Sequence, residues 1–170
     1  HDKEHGEALG LLISDGQVIQ KPDGGKGVFL ISKDGPQVQR KAKSLRKLEG
    51  AFQAREMPLR RGRFWGNGRR HLKSKSIGAH RTYRSLLGQA KNGDLIVVVS
   101  EAGGLVTIPE IACVGRALGS YNAMLPDGGV SLDYSARIAD QNYGYQALPW
   151  PFYSLAGHSP QTSWISAQVR

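Results

Sequence analysis

The stretch "DLIVVVSEAGGLVTIPEIACVGRALGSYNAMLPDGG", Asp94 to Gly129, decides the fold. Asp94 to Ser100 is an apolar run of strand length behind the Asn92-Gly93 turn, and predicts a buried strand. Thr107 stands three residues before Glu110, the spacing of a capping box, with Pro109 in the first turn. Ile111, Val114 and Leu118 continue one apolar helical face, and Gly119 is placed to end it. "YNAML", Tyr121 to Leu125, supplies another strand. Strand, helix and strand in about thirty residues form a crossover unit that favours parallel pairing. Ligands of such units collect beyond the carboxyl ends of the strands, where Ser100-Glu101 and Asp127-Gly128-Gly129 both lie. The Pro126-Asp127-Gly128-Gly129 run reads two ways. It is turn chemistry, or it is a carboxylate at the mouth of a sheet followed by residues whose backbone N–H groups a ligand can approach.

Upstream, "LGLLISDGQVIQ" and "GVFLISKDGPQVQ" each place an Asp-Gly turn, at Asp15-Gly16 and Asp34-Gly35, between apolar runs. Two N-terminal hairpins in succession follow from that pattern. From Lys41 the spacing changes: Leu45, Leu48 and Phe52 predict one apolar stripe on a basic helix, in which Gly50 costs about 1 kcal/mol. Pro58 closes that segment. "LRRGRFWGNGRRHLKSKSIGAHRTYR" then reads as a long functional loop or a pair of irregular strands around Phe64-Trp65. Together these elements predict an α/β (α+β) chain: a single domain over residues 1–170 with a mixed β-sheet, N-terminal hairpins and the strand-helix-strand unit in its second half.

The chain has 170 residues and a net charge of +9, from 23 Lys plus Arg against 14 Asp plus Glu. That balance implies acidic partners, and it is concentrated between residues 55 and 84, where Glu56 is the single acid among ten cations. No apolar run approaches the roughly 18 residues of a membrane span. One cysteine, Cys113, offers no intramolecular disulfide and no metal-ligand pair, and its helical setting predicts a buried, inert thiol. His1 and His5 sit on a terminus expected to be unpaired. Neither metal nor cofactor is expected. Trp150, Phe152 and Trp164 in the tail read as core, with an interface or a sugar-stacking platform as alternatives.

The segment "RSLLGQAKNGDLIVVVSEAGGLVTIPEIACVGRALGSYNAMLPDGGVS", Arg84 to Ser131, resembles the core of the phosphodiester glycosidase family, which includes the animal enzyme that uncovers mannose phosphate on lysosomal glycoproteins. The family pattern runs Arg-Thr-Ala-Ile-Gly, a turn, an apolar strand, Gly-Leu-Thr, a helix, then Asn-Ala-Leu-Asn-Leu-Asp-Gly-Gly-Gly-Ser. Arg84 and Gly88 bracket the first motif. Gly104-Leu105-Val106-Thr107 stands at the second with one extra residue, and Asp127, Gly128, Gly129 and Ser131 fall on the third without a gap. Leu125, Pro126 and Val130 depart from the pattern, and the family's upstream Asn-Gly-Gly segment with aromatic residues has no counterpart here. Similarity is weaker at "GEALGLLISDGQVI" and "MPLRRGRF".

The resemblance implies a secreted or periplasmic hydrolase that cleaves the glycosidic bond of sugar-1-phosphodiesters, releasing free sugar and a phosphomonoester. Breaking the C1–O bond develops oxocarbenium character and expels a weakly basic phosphate, so the site needs phosphate-binding cations and a carboxylate near C1. Asp127 is the expected catalytic carboxylate and Glu101 the second one. Arg84 is suited to bidentate phosphate contacts, with His80, Arg81 and the backbone of Gly128 and Gly129 beside it, and Ser131 bonding the turn. Two other functions compete. A catalytically silent domain would bind anionic glycans or cell-envelope polymers through the basic segment. A nucleic-acid-binding protein would use the same cations with Phe64, Trp65 and Tyr83 stacking on bases, and leaves the Asp127-Gly128-Gly129 constellation unexplained.

Overall fold

The computed structural model describes residues 10–24, 27–54, 56–69, 77–101, 104–126, 128–129, 132–138 and 140–146. The chain is α+β, as expected. Both hairpins form, joining β1 (Leu12–Ser14) to β2 (Gln17–Gln20) through Asp15-Gly16 and β3 (Gly27–Ser32) to β4 (Gly35–Gln39) through Lys33-Asp34, one residue earlier than expected, with Gly35 opening β4 opposite Ser32. Asp15, at φ 50°, and Gly16, at φ 76°, both take the left-handed conformation that a tight hairpin requires.

The helix expected from residue 41 does not form. Leu48–Ala54 is instead β5, the central strand of a five-stranded sheet ordered β2-β1-β5-β3-β4. Leu48 and Phe52 are four apart, a spacing that satisfies the two-residue period of a strand as well as a helical one. Hydrogen-bonding partners on both sides decide the matter, with Ala51 opposite Ile13 of β1 and Leu30 of β3. Lys47, at φ 64°, breaks any helical path just before the strand begins.

Only position 55 separates β5 from β6 (Glu56–Arg60), so the chain passes directly into a second five-stranded sheet, ordered β7-β6-β10-β8-β9. Its members are β6, β7 (Arg63–Phe64), β8 (Ser85–Gln89), β9 (Leu95–Val99) and β10 (Asn122–Leu125). The Phe64 region is thus a short strand returning along β6, followed by a 3-10 turn at Gly66–Gly68. The α-helix α1 (Ile108–Ala117) links β9 to β10, with the expected capping box: Glu110 N donates to Thr107 Oγ1 at 3.3 Å, and Thr107 N donates to Glu110 Oε2 at 2.8 Å. Gly119, at φ 97°, ends it.

Parallel pairing does not follow from this crossover. β10 pairs antiparallel with both β6 and β8, and β8 pairs antiparallel with β9. β9 and β10 therefore run in the same direction with β8 between them. β9 is an edge strand, which corrects the expectation that its apolar run is buried: Val98 packs toward the core, while Val97 on the opposite face is 69% exposed. A third element, the ribbon of β11 (Asp133–Ile138) and β12 (Gln141–Gln146), belongs to neither sheet.

The core lies in layers. Phe29, Val38, Ala54, Met57, Leu87 and Met124 fill the space between the two sheets. Leu59, Leu86, Ala123 and Leu125 meet Ile108, Ile111 and Ala112 of α1 on the other face of the second sheet. Burial on both faces fixes that sheet firmly, since each large apolar side chain removed from water contributes about 1.5–3 kcal/mol. Cys113 is half-buried on α1 rather than enclosed. Among the described residues no helix is long and apolar enough to cross a membrane.

Candidate functional site

The site grows from the register of β8 against β9. Ser85 pairs with Val99, and the pairing continues past the strand ends. Ser100 N donates to Arg84 O at 2.9 Å, and Arg84 N donates to Ser100 Oγ at 2.8 Å. Arg84 thus lies opposite Ser100, and Tyr83 opposite Glu101. Because successive strand residues alternate faces, Arg84 follows Leu86 toward α1 and Tyr83 follows Leu87 toward the other side.

Residues 82–84 form a backbone junction. Thr82 and Val106 exchange hydrogen bonds, at 3.2 Å from Thr82 N to Val106 O and 3.0 Å from Val106 N to Thr82 O. Arg84 forms an antiparallel bridge with Gly128, and Gly129 N donates to Tyr83 O at 2.6 Å. A Cβ on Gly128 would stand 2.7 Å from Tyr83 O, so only glycine fits there, and Gly129 needs its φ of 76°. Three short motifs far apart in the chain, at 84–88, 104–107 and 128–129, converge on this junction.

The sequence model of the phosphodiester glycosidase family matches residues 1–152. The chain belongs to this family. Among solved structures, the catalytic domain of zebrafish N-acetylglucosamine-1-phosphodiester alpha-N-acetylglucosaminidase, auto-inhibited by its pro-peptide, is similar with a TM-score of 0.60 and 22% identity, over 76% of this chain. The chain spans 48% of that structure, about half its length. At that identity the likeness is one of fold. A hypothetical protein from Synechocystis is similar with a TM-score of 0.45 and 22% identity, over 81% of this chain and 30% of that one. No curated protein sequence matches.

The residues expected of a phosphodiester glycosidase divide between the two faces. On the α1 side, the half-buried Arg84 guanidinium donates through Nε to Val106 O at 3.1 Å and through Nη2 to His80 O at 2.9 Å. Burial pushes its pKa below the ordinary arginine value, against the opposing pull of Glu56. His80 is exposed and enters the junction through its carbonyl. Arg81 turns to the first turn of α1, with Nη2 2.5 Å from Glu110 Oε1 and Nη1 donating to Leu105 O at 3.1 Å. Hydrogen bonds from the Thr107 backbone and hydroxyl, with Arg81 adding to them, hold the Glu110 carboxyl below the usual range.

On the opposite face Glu101 is exposed and accepts from Tyr134 Oη at 2.9 Å, a bond that raises the Tyr134 pKa. Tyr145 lies against Tyr83 with ring centroids 5.5 Å apart. Its phenol is pushed up to about 12 by hydrogen bonding to Tyr83. The structure therefore brings Arg84, Gly128 and Gly129 together, places Glu101 across the sheet from the Arg84 guanidinium, and ties Arg81 to α1. The Gly129 N–H, expected to meet a ligand, is taken by Tyr83 O. Asp127 and Ser131 lie outside the described residues. Among those residues, no three or more His, Cys, Asp or Glu side chains come together as a metal-holding group.

Sequence reasoning missed Tyr134 and Tyr145. The signal for Tyr134 was the alternation in "DYSARI", Asp133 to Ile138, and for Tyr145 that in "QNYGYQ", Gln141 to Gln146, which marks a two-faced strand with aromatics on one side.

Proposed function

We propose that residues 1–170 act as one phosphodiester glycosidase domain, hydrolysing the glycosidic bond of a sugar-1-phosphodiester to free sugar and a phosphomonoester. The observation that carries this reading is the Arg84–Gly128 bridge, which joins the first and third motifs of the family resemblance. Position 127 directly precedes that bridge. In the proposed reaction Asp127 faces C1 and stabilises the oxocarbenium-like transition state, the C1–O bond breaks with the electron pair leaving on the phosphate oxygen, and water adds at C1 and releases its proton to solvent. Arg84 supplies positive charge at the junction for the phosphate, with His80 and Arg81 at its margin. Glu101, held by Tyr134 on the opposite face, would act as the second carboxylate on a ligand that passes over the end of the sheet from the Arg84 side. The family setting supports a secreted or periplasmic location.

A silent binding domain for anionic glycans is the second reading, favoured by one observation: Arg84 and Arg81 both spend hydrogen bonds on the protein's own carbonyls. Nucleic-acid binding stands third. The aromatics of the basic segment are covered, Trp65 by the guanidinium groups of Arg60 and Arg69 at 5.0 and 5.9 Å and Phe64 by that of Arg116 at 5.1 Å.

The test offers the purified chain a panel of sugar-1-phosphodiesters beside the same sugars as simple alkyl glycosides. Release of sugar and phosphomonoester in equal amounts from the phosphodiesters alone is the expected result. Absence of turnover, or equal turnover of the alkyl glycosides, contradicts the reading.

A further inference from the structure

The β11–β12 ribbon has two unlike faces. Cross-strand partners in an antiparallel pair share a face, and so do residues two apart. One face carries Tyr134 opposite Tyr145 and Ala136 opposite Tyr143; the other carries Ser135 opposite Gly144 and Arg137 opposite Asn142. Three of the six tyrosines thus lie on one side of a ribbon that joins neither sheet.

The stripe has an inner and an outer end. At the inner end Tyr134 bonds Glu101, and Tyr145 rests against Tyr83. Tyr143, one step further out, is 45% exposed. Its distance from Tyr145 along the strand is about 7 Å. Flat rings with polar tips in a row suit a partner that alternates apolar C–H faces with hydroxyl groups, which describes a carbohydrate chain. The register also places one large aliphatic residue, Ile138, on this face, opposite Gln141 at its outer end.

We propose that the tyrosine face of the ribbon is a carbohydrate platform that leads a sugar chain to Glu101, so that the ligand is an oligosaccharide or polysaccharide rather than a single sugar. The proposal rests on the glycosidase reading for its choice of ligand class. It does not rest on turnover.

The test measures binding by the full chain of cellotetraose, maltotetraose and N-acetylglucosamine tetramer, each beside its monosaccharide, by calorimetry. At least one tetrasaccharide is expected to bind about tenfold tighter than its monomer, the scale of one added aromatic contact. Tyr143→Ala should remove that margin and Tyr143→Phe should keep it, both with an unchanged thermal transition because the side chain is exposed. If no tetrasaccharide exceeds its monomer, or if Tyr143→Ala leaves the margin intact, the platform is refuted. Binding with a Tyr143-dependent margin but no hydrolysis of any phosphodiester would overturn the proposed function and uphold the platform. Hydrolysis without the margin would do the reverse.

Discussion

On the α1 side of residues 82–84 most of the polar contacts run to backbone: Arg84 reaches the carbonyls of Val106 and His80, Thr82 pairs with Val106, and Gly128 bridges Arg84, with the Arg81–Glu110 ion pair beside them. On the ribbon side they run between side chains, from Tyr134 to Glu101 and from Tyr145 to Tyr83. Backbone contacts hold position whatever the neighbouring side chains are, and suit a framework. Contacts between partly exposed side chains can be exchanged for contacts to a ligand at modest cost. In the proposed reading the family motifs build the framework face, and ligand choice is made on the other.

The sharpest way to break that division is Gly128→Val. Its Cβ would meet Tyr83 O at 2.7 Å, so the bridge must open, and denaturant unfolding should show a loss of roughly 2–3 kcal/mol. A stability near wild type would mean that the junction is loose. Arg84→Lys comes next. It keeps the charge and loses the planar fork that serves two carbonyls, and should cost about 1 kcal/mol in the same measurement. An unchanged midpoint would show the guanidinium to be free for other work.

These two positions also show what was legible. The α1 boundaries were readable because Thr107, Glu110 and Gly119 act within a few residues of each other. The β1–β2 and β3–β4 hairpins were readable for the same reason. β5 was not, because the spacing of Leu48 and Phe52 satisfies helix and strand alike, and its partners in β1 and β3 are remote in sequence. β9 was seen as a strand but misplaced, since an apolar run reports its own character and not how many neighbours it will have. At the site, the resemblance named Arg84 and Gly128 through two separate motifs, and the structure bridges their backbones. That Glu101 stands across the sheet from the Arg84 guanidinium follows from pairing register, which no local pattern records.

The smallest expected effect is electrostatic. The folded-state pKa of Glu110 is depressed, so its contribution to stability is present above the unfolded value of about 4.3 and is lost as pH falls through the folded one. Thermal midpoints followed from pH 6 downward should therefore converge between wild type and Glu110→Gln in acid, with wild type ahead at the upper end. A gap that widened on acidification would reverse the sign assigned here. Because this group and Arg81 lie on the framework face, sugar binding should not respond to the exchange.

The most direct test of the central claim is kcat/KM of Asp127→Asn on the best phosphodiester of the panel, beside wild type and with unfolding measured on both. The site proposed here predicts a fall of roughly 10²–10⁴-fold with stability unchanged. Near wild-type turnover in a folded variant would contradict it, and would move the catalytic carboxylate away from the end of β10.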